Sequence, residues 1–151
     1  MGEQISEKLK SIRDLIKKYF QNQKIYKYNE LGNFSSINQI LPKNKDGAFI
    51  LYLDSAHSGH WVLLTRYNDI IEMFDPYEQK NIDDELLWIS KPERRMLKTN
   101  KPHLTRLLND CPYKVIFNPF KYQTLDNNIQ TCGRHCCWRL MSLLKYNKNL
   151  Q

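Results

Sequence analysis

The sequence predicts an α+β domain, on three observations. Short β-prone runs fill the middle of the chain, at residues 48–53, 61–65 and 70–74. Apolar residues recur at helical spacing near both ends, over residues 5–20 and 133–146. The second and third runs are separated only by Arg66, Tyr67, Asn68 and Asp69, a polar link of hairpin length. The expected architecture is a mainly antiparallel sheet packed against a central helix that starts at Cys132.

Each element has its own warrant. In the first helix Ile5, Leu9, Ile12, Leu15, Ile16, Tyr19 and Phe20 form an apolar stripe between Lys8, Lys10, Arg13, Lys17 and Lys18. Such a helix packs on a core; a basic amphipathic helix lying on an anionic membrane is the alternative. A polar, turn-rich stretch follows at 33–45, with a short helix expected near 35–41. After the three strands, 83–91 and 101–109 read as helices separated by Pro92 and the basic Arg94-Arg95 pair. Strand character returns at 113–117, ahead of Pro119, a residue suited to a strand end or sheet edge. The last helix places Cys136, Cys137, Leu140, Leu143 and Leu144 on one buried side.

At 151 residues and 41% hydrophobic, the chain fits a single domain over 1–151 that needs neither disulfides nor a metal to fold. The longest apolar run, six residues at 48–53, is far too short to cross a bilayer. No apolar signal segment opens the chain, so secretion is not expected, and the Met-Gly-x-x-x-Ser start is a weak myristoylation match. The four cysteines, Cys111, Cys132, Cys136 and Cys137, include an adjacent pair ill suited to a disulfide framework, which predicts reduced thiols. A net charge of +7 favours polyanionic partners such as DNA; a solvated basic surface is the competing explanation.

Cysteine chemistry is the most specific signal. A thiol nucleophile needs a base, an oriented imidazole and a field that stabilises thiolate, such as a helix N-terminus. Cys132 stands where the polar loop 126–131 meets the last helix, whereas Cys136 and Cys137 lie one turn inside it as inert core thiols. His60 begins one strand of the hairpin and Asp75 ends the other. A turn centred on Tyr67 and Asn68 makes the two cross-strand neighbours. Trp61 would wall the imidazole from water or serve as an ordinary core residue. Among the other histidines, His57 lies in a loop and His103 is expected on the surface beside Pro102. A zinc set of Cys132, His135, Cys136 and Cys111 has an uncommon spacing, so no metal is expected.

The segments Gly59-His60-Trp61, Phe74-Asp75-Pro76-Tyr77 and Thr131-Cys132-Gly133-Arg134-His135-Cys136-Cys137, in that order, resemble the adenovirus-type, adenain-like maturation proteases, which share a papain-type fold with the SUMO-specific proteases. The resemblance spans most of the chain. It implies a cysteine endopeptidase with nucleophile Cys132, base His60, orienting acid Asp75, and a Gln that stabilises the oxyanion together with the Cys132 backbone N–H. Gln123 is the preferred candidate for that Gln and Gln130 the alternative; neither matches the family spacing. The resemblance further implies viral capsid or core precursors as substrates, cut near small residues such as Gly. It also implies DNA or an activating peptide as cofactor; Cys111 is placed similarly to the cysteine that pairs with such a peptide, but its spacing to Cys132 differs and favours a plain free thiol. A monomer in the virion and the host cytoplasm is expected. The small size and the bias toward Lys, Asn, Ile and Tyr suggest a virophage or a polinton-like virus. Two other readings stand beside this one: an isopeptidase acting on ubiquitin-like modifiers, and a non-catalytic basic DNA-binding virion protein.

Overall fold

A computed structural model describes residues 6–20, 24–42, 47–53, 59–76, 81–83, 86, 89–96, 101–118 and 129–150. Helix α1 (Ser6–Tyr19) comes first, followed by β1 (Lys24–Lys27), a 3-10 helix (Tyr28–Asn33) and α2 (Ile37–Ile40). The sheet continues with β2 (Gly47–Leu53), β3 (Gly59–Tyr67) and β4 (Ile70–Phe74). Helices α3 (Lys91–Met96) and α4 (His103–Asn109) lead to β5 (Lys114–Phe117), and α5 (Ile129–Leu150) closes the chain.

The five strands lie side by side in chain order. β2–β3 and β3–β4 are antiparallel, but β1–β2 and β4–β5 are parallel. The sheet is therefore mixed rather than mainly antiparallel. A parallel neighbour needs a crossover, and the connections that hold the 3-10 helix and α2, or α3 and α4, supply one on each side. β1 escapes the sequence patterns because Lys24 and Lys27 bracket only two apolar residues, a composition typical of a protected edge strand.

Helices cover both faces of the sheet. On one, Ala48, Ile50, Tyr52, Val62, Leu64, Ile71 and Met73 pack with Leu31, Ile37, Ile40, Leu104, Leu107 and Leu108 from the 3-10 helix, α2 and α4. On the other, Phe49, Leu51, Trp61, Leu63 and Phe74 pack with Ile12 and Ile16 of α1 and with Cys136, Cys137 and Leu140 of α5. Two-sided burial explains why 48–53 is a continuous apolar run and not an alternating one.

Several boundaries move for identifiable reasons. Of the described residues in 83–91, Lys91 opens α3 and the stretch before it has 3-10-type bonds and not an α-helical ladder: Leu86 N–H bonds Asp83 C=O at 3.0 Å and Ile89 N–H bonds Leu86 C=O at 3.2 Å, both i to i−3. Pro92, Arg94 and Arg95 lie inside α3 instead of separating two helices. Pro is tolerated in a first turn, and Ser90 caps this one by accepting the Glu93 N–H at 3.4 Å. α5 begins at Ile129, three residues before Cys132, so it does not start at the cysteine.

Candidate active site

The hairpin sets the geometry. Pairing runs from Leu63–Phe74 to Tyr67–Ile70, so the loop is Asn68-Asp69, with Asn68 in the left-handed region at φ 53°. Asn tolerates that conformation better than most residues. The turn thus sits one position later than a turn centred on Tyr67 and Asn68, and His60 is not directly opposite Asp75. Continued outward, the register would set Asp75 against Val62, with His60 one diagonal step further on. Diagonal neighbours on one face remain within side-chain reach.

The contact forms across that diagonal. His60 Nε2 and Asp75 Oδ1 are 2.7 Å apart, with His60 4% and Asp75 1% exposed. A buried, short bond between imidazole and carboxylate holds the ring in one orientation and favours the proton on Nε2. Gly59, immediately before His60, packs where an added Cβ would collide with the Tyr52 carbonyl oxygen. Its lack of a side chain therefore lets this end of β3 close onto β2.

Helix α5 reaches the same strand end. Cys136, fully buried, has its sulfur 3.5 Å from the Trp61 carbonyl oxygen. Cys132 is one turn earlier in the helix, in its opening turn. The helix is seated at this height by α1, since a Cβ on Gly133 would fall 2.6 Å from an Ile12 side-chain carbon. Arg139 anchors it further along with a two-pronged ion pair to Glu72, at 2.8 and 2.6 Å. The Cys132 thiol and the Gln130 side chain lie outside the described residues, as do all of Gln123, His57 and residues 119–128. Because α5 starts at Ile129, Cys132 is the fourth residue of the helix.

The remaining residues sort by environment. Trp61 is fully buried among Phe49, Leu63, Phe74 and Cys136 on the helix-covered face. Burial pushes the Cys137 thiol up to about 12. Cys111 packs against the opposite face and donates its S–H to the Leu108 carbonyl at 3.1 Å, so the sheet stands between Cys111 and Cys136 and does not assemble them into a zinc set. His103 is half-buried rather than exposed. Its ring lies 5.8 Å from that of Tyr28, and burial, then Arg106, lower its pKa.

Two polar features had no signal in the sequence patterns. Asn118, at the end of β5, is buried and bonded to the Asp75 main chain. Tyr52, the cross-strand partner of His60, donates to Asp83 Oδ1 at 2.9 Å, and Asp83 Oδ2 accepts the Thr105 N–H at 2.8 Å. Burial, then the Asp83 charge, raises the Tyr52 hydroxyl well above its ordinary pKa, so it stays a neutral donor. A strand-end Asn and a loop Asp are too common in sequences to be singled out; only the fold gives them partners.

No family model matches the chain. Over 130 residues, 85% of this chain and 73% of the relative, it is 32% identical to an uncharacterized protein of Sputnik virophage, protein V9. The chain belongs to the family of that virophage protein. A virophage-related viral origin agrees with the residue bias of the sequence. Among the described residues no helix is long and apolar enough to cross a membrane.

Proposed function

We propose that the chain is a cysteine endopeptidase that processes viral capsid or core precursors during virophage maturation, built on the papain-type arrangement of the adenain-like proteases. One observation carries this reading: a buried imidazole–carboxylate pair, His60 and Asp75 at 2.7 Å, stands at the end of the strand on which the Cys132-bearing helix is seated. A purely DNA-binding protein has no need of such a pair.

With Nε2 engaged by Asp75, proton transfer from the Cys132 thiol falls to Nδ1 of His60. The thiolate attacks the peptide carbonyl carbon, and the oxyanion is stabilised by a Gln side chain and the Cys132 backbone N–H in the first turn of α5. The imidazolium returns its proton to the leaving amine, which leaves a thioester on Cys132. Water, deprotonated by His60, then hydrolyses the thioester and restores the thiol. DNA, attracted by the +7 charge, or a peptide is the proposed activator, and the virion and the host cytoplasm are the proposed sites of action.

The test is to incubate the purified protein with the capsid precursors of its own virus, with and without DNA, and to map new termini by mass spectrometry. Discrete cuts near small residues such as Gly are expected. Intact precursors under both conditions would overturn the reading, and release of a ubiquitin-like modifier in place of internal cuts would favour an isopeptidase.

The same assay assigns the oxyanion Gln. Loss of one such donor lowers kcat by about 100- to 1000-fold while substrate binding is nearly unchanged. Gln123→Ala should show that loss. Gln130→Ala should stay within about tenfold, because residues two apart on a helix do not share a face. An exchange of the two phenotypes transfers the role to Gln130.

A further inference from the structure

Asp75 stands just past both ladders of β4. Pairing with β3 ends at Leu63–Phe74, and pairing with β5 ends at Met73–Phe117. Beyond the ladders a side chain bonds its main chain. The Asp75 N–H donates to Asn118 Oδ1 at 2.8 Å, and Asn118 Nδ2 donates to the Asp75 carbonyl oxygen at 2.9 Å. An N–H requires the amide oxygen and a carbonyl requires the amide nitrogen, so the two partners fix which way the amide points. Both residues are buried, Asn118 at 5% and Asp75 at 1% exposure.

We propose that Asn118 is a positioning residue for the His60–Asp75 pair, acting as a two-point clamp on the Asp75 backbone. This rests on the reading of that pair as catalytic. The carboxylate can stay 2.7 Å from His60 Nε2 only if Asp75 holds its backbone angles, and the Asn118 amide bonds both of its main-chain groups just beyond the last pairs of the two ladders. Asn118 reproduces there what one more step of ladder would do. The clamp depends on β5, since Asn118 follows directly on its last residue, Phe117. The crossover that brings β5 alongside β4 therefore also completes the site.

Asparagine suits the task chemically. Alanine would leave a buried N–H and C=O without the bonds that replace water. Aspartate would keep the acceptor and the shape but set a carboxylate oxygen against the Asp75 carbonyl.

The experiment compares wild type, Asn118→Ala and Asn118→Asp by NMR of 15N-histidine-labelled protein, together with the rate of Cys132 alkylation by iodoacetamide and processing of the capsid precursors. In wild type the His60 ring should show one tautomer, protonated at Nε2. Asn118→Ala should lose that single-tautomer signature, slow Cys132 alkylation, and reduce kcat by about 100-fold with little change in KM, as expected for a displacement of about 1 Å at a reacting group. Should Asn118→Ala fail to fold, Asn118→Asp supplies the same readouts. A folded variant that keeps the wild-type His60 tautomer and alkylation rate would overturn the clamp, even if its melting temperature falls. If instead the tautomer changes while wild type cleaves no precursor, the clamp stands and the protease reading falls.

Discussion

Cys132→Ala is expected to abolish precursor processing while leaving the fold intact, and His60→Ala to lower turnover to a similar extent, by about 10⁴- to 10⁶-fold. Nucleophile and base act in one proton-coupled step, so the double variant should be little worse than either alone. The two differ in stability. Cys132→Ala removes a single sulfur, whereas His60→Ala withdraws the imidazole bonded to a carboxylate that is 1% exposed, so a lowered melting temperature is expected only for the latter. Alkylation by iodoacetamide near neutral pH tests the nucleophile without a substrate. Cys132 should be labelled first. Cys136 and Cys137 are buried, with the Cys137 thiol pushed up to about 12, and the Cys111 S–H is committed to the Leu108 carbonyl. Fastest labelling at Cys111 or Cys136 would remove Cys132 from the role.

α1 was legible because seven apolar residues repeat at helical spacing, and the Gly59-to-Phe74 hairpin because two apolar runs flank a four-residue polar link. The His60–Asp75 contact follows from the hairpin even with a turn one position earlier, since a shift by one pair converts direct neighbours into diagonal ones on the same face. β1 was not legible, because a four-residue edge strand with a Lys at each end has no apolar pattern to detect. Parallel pairing of β1 and β5 was also hidden: strand direction depends on where a crossover returns the chain, and nothing in Lys114-Val-Ile-Phe117 encodes it. α3 had a local signal that the presence of Pro92 obscured, the capping sequence from Ser90 to Glu93. Asn118 gains its meaning only from the parallel β4–β5 pairing, and so was legible last of all.

Asp75→Asn is expected to lower kcat by about 10⁴-fold, the size of effect produced by a wrong imidazole tautomer in a serine triad. The substitution changes one atom in a group that is almost completely buried, so volume and packing are preserved and the main chain keeps both bonds to Asn118. What changes is the donor–acceptor pattern presented to His60. A carboxylate accepts at either oxygen, which keeps the proton on Nε2 and leaves proton uptake to Nδ1. An amide can turn its NH₂ toward Nε2, which then must accept; the ring proton moves to Nδ1, the position that has to receive the thiol proton. Even with its oxygen forward, the neutral amide no longer stabilises the imidazolium that forms when the thiol ionises. Both effects reduce the thiolate fraction, so Cys132 alkylation near neutral pH should slow together with kcat, while binding of an uncleaved precursor should be unchanged. Asp75→Asn with wild-type alkylation and turnover would show that the pair only stabilises the fold, and Asp75→Ala would then be expected to affect melting temperature alone.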